Sequence, residues 1–369
     1  MPSPTAPRAC LQPIKGRGSA SRIAHRFEAD AREAFDDGWP GPDDAQAPPA
    51  PRTEWRWEDA RSALTRNDSP DIFFERAVNP YRGCEHGCVY CYARVTHSYL
   101  GLSPGLDFET RIVAKRNIAA LLRRELARPG YVPSVVNIGS ATDCYQPLER
   151  ELRLTRSLIE VLRDARHPFA LITKSSGVER DIDLLAPLAG QRLAVVCLTV
   201  TTLDARLARR LEPRAAAPWR RLRTIRTLVD AGIPVGVSVA PQIPFLIVDM
   251  EQVLAAAADA GATSAFYSVL RLPWELDPLM REWLALHYPE RAARVLARTR
   301  ELHGITGPGD GRLYRSDFAT RMKGTGPWAD LLRQRFANAC ARLGLNRERL
   351  VLDTSRFRPP APAGQGVLF

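Results

Sequence analysis

Three cysteines, Cys84, Cys88 and Cys91, stand close together in NPYRGCEHGCVYCYAR, and their C-x3-C-x2-C spacing decides most of the chemistry open to this chain. Thiolates this near one another in sequence fold round a cubane iron–sulfur cluster, whose usual ligand set is four cysteines. Three thiolates on a cube of four irons leave one iron without a protein ligand. A small molecule can chelate at that corner, which makes the site reactive. The competing arrangement is a tetrahedral zinc site, completed by His86 inside the loop or His97 just beyond it. Structural zinc sites usually draw their ligands as two separated pairs, and the single tight run favours the cluster.

The elements that must position this loop are legible as alternating apolar runs and amphipathic helices. A short strand, Ala77 to Tyr81, leads into the cysteines. Buried strands are expected at Ser134 to Gly139, Phe169 to Thr173, Leu193 to Val200, Ile233 to Val239 and Ser264 to Leu270. Near-continuous apolar runs of this length suit a parallel sheet covered by helices. Leu154, Leu158, Ile159 and Leu162 fall at helical spacing, as do Leu222, Ile225, Leu228 and Val229, with Pro218 in the first turn and Gly232 as a stop. Arg220, Arg221, Arg223 and Arg226 occupy the other faces of the second helix and read as solvated surface. Six strands with intervening helices place function at the carboxyl ends of the strands. Those ends carry Gly139, Ser140, Thr142 and Asp143, then Lys174, then Thr199 and Thr201 with Glu212 and Arg214 beyond.

Composition agrees with a cytoplasmic enzyme. No run approaches the roughly 20 apolar residues of a membrane span, and the remaining cysteines of an odd total of 7 are too scattered for a disulfide framework. The net charge of +11 invites a nucleic-acid partner. Only four of the 52 basic residues are lysine, however, so genome composition explains the excess nearly as well. Residues 1–52 read as a disordered arm rich in Pro, Gly and Ala, 53–270 as the catalytic core, 271–345 as a helical extension and 346–369 as a tail. Within the extension, Trp274, Trp283 and Tyr288 read as core packing rather than as a substrate entrance.

The segments NPYRGCEHGCVYCYAR, TDCYQPLE, TKS, LEPR and AGIPV resemble the radical SAM superfamily. Within it they are most similar to an uncharacterised bacterial branch of the DNA-repair-photolyase-like group that includes spore photoproduct lyase. The resemblance implies an α/β fold, a partial (β/α)6 TIM-like barrel. It implies one [4Fe–4S] cluster on Cys84, Cys88 and Cys91, with S-adenosylmethionine on the open iron, cleaved after reduction to a 5′-deoxyadenosyl radical. Tyr90 is then expected near the adenine with the turn Ala240 to Pro244, and Lys174 at the methionyl carboxylate. The stretch with Gly139, Ser140, Thr142 and Asp143 is expected at the amino group. Thr199 and Thr201 would point into the barrel, and Glu212 with Arg214 would bind ribose and carboxylate or simply pair with each other. The implied partners are a reductase or a ferredoxin- or flavodoxin-type electron donor and a substrate that the resemblance leaves unnamed, a nucleic acid such as DNA handled by lyase-like repair chemistry or a protein bound to one. Cys144 lies near the hydrogen-donating cysteine of spore photoproduct lyase, whose register falls nearer Ser140 or Ala141. It is read either as a hydrogen donor or as a buried apolar filler.

Two further readings stand beside this one. The terminal QGVLF resembles the peptide by which bacterial repair proteins hook the DNA sliding clamp, with Gln365 at the rim of an apolar pocket and Leu368 and Phe369 inside it. The non-enzymatic alternative is a zinc-stabilised nucleic-acid-binding protein, with the arginines on phosphate.

Overall fold

The computed structural model describes residues 11–28, 51–307 and 311–360. Ten strands form two sheets: β1 (Glu54–Glu58), β2 (Leu64–Arg66), β3 (Arg76–Val78), β4 (Tyr81–Arg82), β5 (Arg111–Lys115), β6 (Val136–Ile138), β7 (Phe169–Thr173), β8 (Ala194–Thr199), β9 (Val235–Ser238) and β10 (Ser264–Phe266). The larger sheet runs β10-β9-β8-β7-β6-β3-β2. From β3 to β10 its six neighbours are parallel, and β2 alone is antiparallel, closing the β3 edge. All six expected strands are present and lie side by side in chain order, the arrangement of a partial barrel. The strand expected over 77–81 stops at Val78, because Asn79-Pro80 interrupts the ladder, and Tyr81–Arg82 pairs instead with β5 in the small sheet β1-β5-β4.

Eleven helices complete the described fold: α1 (Asp107–Thr110), α2 (Ile118–Leu126), α3 (Glu149–Leu152), α4 (Leu154–Asp164), α5 (Ile182–Ala189), α6 (Ala205–Leu211), α7 (Pro218–Asp230), α8 (Met250–Asp259), α9 (Leu276–His287), α10 (Pro289–Leu302) and α11 (Pro327–Leu343). Strand alternation separates two faces. Ala194, Val196 and Leu198 of β8 are buried with Phe169, Leu171, Val235 and Val237 in the main core, which also takes Leu158, Ile159 and Leu162 of α4. Each large side chain withdrawn from water in this way contributes about 1.5–3 kcal/mol. The opposite face carries Asn137, Ala170, Cys197, Gly236 and Ser264, and these small groups leave a hollow of about 420 Å³. Asn346 covers the β10 edge. Its backbone N–H donates to Thr263 O, while its amide accepts from Ala265 N and donates to Ala265 O.

Part of the arm expected to be disordered is laid against the core. Gly18 and Ser19 donate their backbone N–H groups to Glu109, Ser21 bonds Glu282, and Arg26 pairs with Glu275. Residues 1–10 and 29–50 lie outside the described residues, as does the expected clamp peptide with Gln365, Leu368 and Phe369. No helix among the described residues is long and apolar enough to cross a membrane.

Two buried imidazoles make the fold acid-sensitive. Burial holds His97 and His167 at about 4, below the usual 6.5, against a hydrogen bond to Arg111 O in one case and to Pro168 O in the other. The folded protein therefore binds fewer protons than the unfolded chain between pH 6.5 and about 4. Stability is full above that window and falls as pH drops through it, by up to about 1.4 kcal/mol per pH unit for each ring. Urea unfolding across pH 7 to 4.5 should show this slope, and His167→Gln, less stable throughout, should make it shallower.

Candidate cluster site at the strand ends

The cysteine loop leaves the end of β3 and β4 and runs into a 3₁₀ helix over Tyr92–Leu100. Arg94 holds it from behind. This guanidinium is fully buried and donates to the carbonyls of Cys88 (2.8 Å) and Gly87 (3.0 Å), and to those of Pro104 and Gly105. Its charge is met by Glu109 at 2.5 Å. Gly87 is required here, since its φ is +66° and a Cβ would sit 2.5 Å from Glu109 Oε2. Cys84 N–H donates to Phe108 O and Val89 N–H to Leu211 O, so the loop is fixed at both ends.

The donor set fits a cluster better than a single metal ion. Cys84 and Cys88 are buried and Cys91 is half-buried. Among the described residues, no three His, Cys, Asp or Glu side chains gather where one ion could sit. Both histidines that might have completed a zinc shell face elsewhere. His97 Nε2 lies 3.0 Å from Arg111 O with its ring edge-on to Phe108. His86 Nδ1 lies 3.2 Å from Asp143 Oδ2 without in-line hydrogen-bond geometry. Burial pushes the Cys88 thiol up, and Lys174 pulls it back. Lys174 is itself raised: burial opposes its charge, but Cys88 and Glu212 outweigh that. Its Nζ lies 5.7 Å from the Tyr90 ring centre. A cation beside thiols is what negatively charged thiolate ligands need.

The other strand ends close round this point. After β6, Asp143 accepts from Thr173 Oγ1 (2.7 Å), Lys174 N (2.7 Å) and Tyr145 N (2.9 Å). Burial would raise its carboxyl, but His86 and these donors hold it well below the usual range. Asp143 is therefore a strut between strand ends. Thr142 Oγ1 is buried beside it with no partner, the free polar atom of this stretch. Ser140 Oγ accepts from Asn79, and Gly139, at φ +90°, is needed because a Cβ would meet Ile172 O at 2.6 Å. Cys144 is fully buried in the main core, with its Sγ 3.7 Å from Ile172 O. Cys197, counted among the scattered cysteines, faces the hollow instead.

After β8 the expected pair Glu212 and Arg214 is split. Glu212 is buried against Arg221 and accepts from Thr201 Oγ1 (2.6 Å) and the Tyr90 hydroxyl. Burial raises its carboxyl, and Arg221, Lys174 and the two hydroxyls override that, holding it at about 2. Arg214 bonds Thr53 and pairs with Glu85 at 3.2 Å. Arg221, read as solvated surface, is 1% exposed and also donates to Thr199 O and Ala216 O. The helix turns it inward because Glu212 needs a buried countercharge. Thr199 is buried at its strand end, Thr201 lies within 3.1 Å of Ala240 O, and the Ala240–Pro241 bond is cis.

With this geometry in hand, comparison decides the family. The description "Radical SAM superfamily" matches residues 78–258. An uncharacterised protein of Mycobacterium tuberculosis is 37% identical over 247 residues, covering 66% of this chain and 72% of that one. This chain belongs to the radical SAM superfamily. An uncharacterised protein of Methanocaldococcus jannaschii is 26% identical over 213 residues, 58% of this chain and 76% of that one. Among solved structures, a spore photoproduct lyase mutant has a similar fold, with a TM-score of 0.50 at 16% identity over 78% of each chain. The family match ends within α8, and β10, α9, α10 and α11 lie beyond the matched residues.

Sequence reasoning missed Arg94, Glu109 and Arg221, because one arginine among so many carries no signal of burial. It also grouped Trp274 with Trp283 and Tyr288 as packing. Trp283 is buried with its ring 5.5 Å from Tyr288, whereas Trp274 is exposed beside the cysteine loop.

The split of Glu212 from Arg214 has a measurable consequence. Glu212→Ala leaves Arg221 buried and unpaired, so it should lower unfolding stability by about 3–5 kcal/mol. Arg214→Ala removes a partly exposed guanidinium whose buried partner Glu85 keeps the Leu148 N–H, so it should cost less, about 1–3 kcal/mol. Urea titration of both variants checks this. An undiminished stability for Glu212→Ala would return that carboxylate to ligand binding.

Proposed function

We propose that this enzyme reductively cleaves S-adenosylmethionine at one [4Fe–4S] cluster held by Cys84, Cys88 and Cys91, and that the radical acts on a nucleic acid. The observation that carries the reading is the set of three thiols on an Arg94-pinned loop at the strand ends, with Lys174 facing them and its Nζ in no hydrogen bond among the described residues. Bound there, the cluster supplies the one-electron reduction that breaks the sulfonium bond to give the 5′-deoxyadenosyl radical.

The protein's part is to bind, orient and exclude water. Lys174 meets the methionyl carboxylate, because its ammonium lies by the thiols and, among the described residues, pairs directly with no acid. Thr142 Oγ1 offers the unspent polar contact for the amino group. Tyr90 donates its hydroxyl to Glu212 and lies 3.1 Å from Thr201 Oγ1, which fixes its ring plane for the adenine. Gly139 and Asp143 shape the wall between these contacts. An external reductase or a ferredoxin- or flavodoxin-type protein delivers the electron. The nucleic-acid substrate is supported by guanidinium groups at the rim next to Cys91, those of Arg271, Arg312 and Arg321, within a chain of net charge +11.

Anaerobic reconstitution with iron and sulfide, then dithionite and S-adenosylmethionine, should yield a brown protein that releases 5′-deoxyadenosine. Cys88→Ala should release none. Lys174→Met should keep its iron and visible absorption while binding S-adenosylmethionine at least about tenfold more weakly. A colourless protein with stoichiometric zinc would overturn the proposal.

A further inference from the structure

A groove of about 530 Å³ opens at Tyr92, the residue after Cys91, between the 3₁₀ helix that follows the cysteines and the segments 271–277 and 312–321. Tyr92, Trp274 and Tyr314 supply its aromatic walls, and Arg271, Arg312 and Arg321 its charge. Arg271 lies 4.4 Å over the Tyr92 ring and has no acidic partner among the described residues. Arg321 is held bidentate by Asp71 and stacks 4.5 Å from the Phe318 ring. The acid on the wall, Asp277, is taken up by Arg281 at 2.5 Å.

The same alternation continues out of the groove. Arg26 sits over three rings, 4.4 Å from Trp274, 4.8 Å from Phe27 and 4.9 Å from Tyr99. One of its guanidinium nitrogens pairs with Glu275, and a second is buried without a partner. The rings themselves are open: Tyr99 is 66% exposed, Trp274 62%, Phe27 55% and Tyr92 45%. Trp274 also holds φ +47°, a left-handed conformation that a bulky residue keeps only when something fixes it there. Aromatic faces and guanidinium groups therefore interleave from Phe27 to Phe318 across the mouth of the site.

We propose that this ridge binds a single-stranded or locally unpaired nucleic acid and feeds one nucleotide into the groove beside the cluster loop. The proposal rests on the nucleic-acid reading of the active site and deepens it. Bases stack on exposed aromatic faces only when they are out of a duplex, and arginines between the faces meet the phosphates that connect those bases. A duplex offers phosphates and groove edges but no base faces, so it has nothing to place on Tyr99, Trp274 and Tyr92. An acidic peptide would use the guanidinium groups and leave the rings unexplained.

Fluorescence anisotropy of the full chain with 12-nucleotide single-stranded DNA, single-stranded RNA and the matching DNA duplex tests this at several salt concentrations. Single strands should bind at least about tenfold tighter than the duplex, and affinity should fall as salt rises. Trp274→Ala and Arg271→Gln should each weaken single-strand binding about tenfold, while Arg124→Ala, exposed on α2, should match the parent. The two single-strand arms name the sugar the ridge accepts, and tight binding in either supports the proposal. Equal affinity for duplex and single strand, or unchanged binding in both groove variants, overturns it. Binding is read without reductant, so a failure here is separate from a failure to form 5′-deoxyadenosine.

Discussion

The arrangement hangs on a buried charge pair behind the cysteine loop. Arg94 and Glu109 are both fully buried, and an unpaired charge at such depth would cost several kcal/mol. The pair avoids that penalty by spending its remaining hydrogen-bonding capacity on backbone. Arg94 satisfies the carbonyls of Gly87 and Cys88, and Glu109 takes the N–H groups of Gly18 and Ser19. One ion pair thus fixes the curvature of the thiol loop and fastens residues of the N-terminal segment to its rear. Removing either partner would strand the other, so the loop's shape is protected by the cost of breaking it.

The strand ends apply the same logic a second time. Asp143 and Glu212 are buried carboxylates, and each is saturated by neighbours that bind strand end to strand end. Neither retains a free oxygen of the kind that ligand recognition uses. What they leave over is informative: an ammonium facing thiols, an unpartnered threonine hydroxyl, and a tyrosine ring held by its own hydroxyl. In this site the acidic residues build the frame, and these groups are what the frame leaves over.

This division explains what could be read from sequence. The six parallel strands were legible because strands of a sheet covered by helices read as near-continuous apolar runs, as Ala194 to Thr199 does in β8. The cysteine loop was legible because thiols at that spacing have few uses. The small sheet was not, since β4 is two residues long and β1 carries exposed charge at Glu54 and Arg56. Arg221 and Arg94 were hidden by composition: in a chain with 48 arginines, nothing local marks the few that turn inward. Their burial is a tertiary fact, set by carboxylates at Glu212 and Glu109 that come from other elements.

The same arginine excess, ambiguous as a bulk number, becomes specific once each group is located. Many guanidinium groups are committed to acids, as Arg156 is to Asp181 and Asp183, Arg220 to Glu179 and Arg335 to Glu251. Such pairs on a surface contribute little to stability and present little net field. The band across the mouth differs in kind, because its guanidinium groups lie on rings as well as beside acids. A cation stacked on an aromatic face keeps its charge, and the pair offers a flat apolar surface next to a phosphate-binding group. Genome composition can raise the number of arginines. It has no reason to place Arg26 over three rings and Arg271 over Tyr92, next to the third cysteine of the cluster loop.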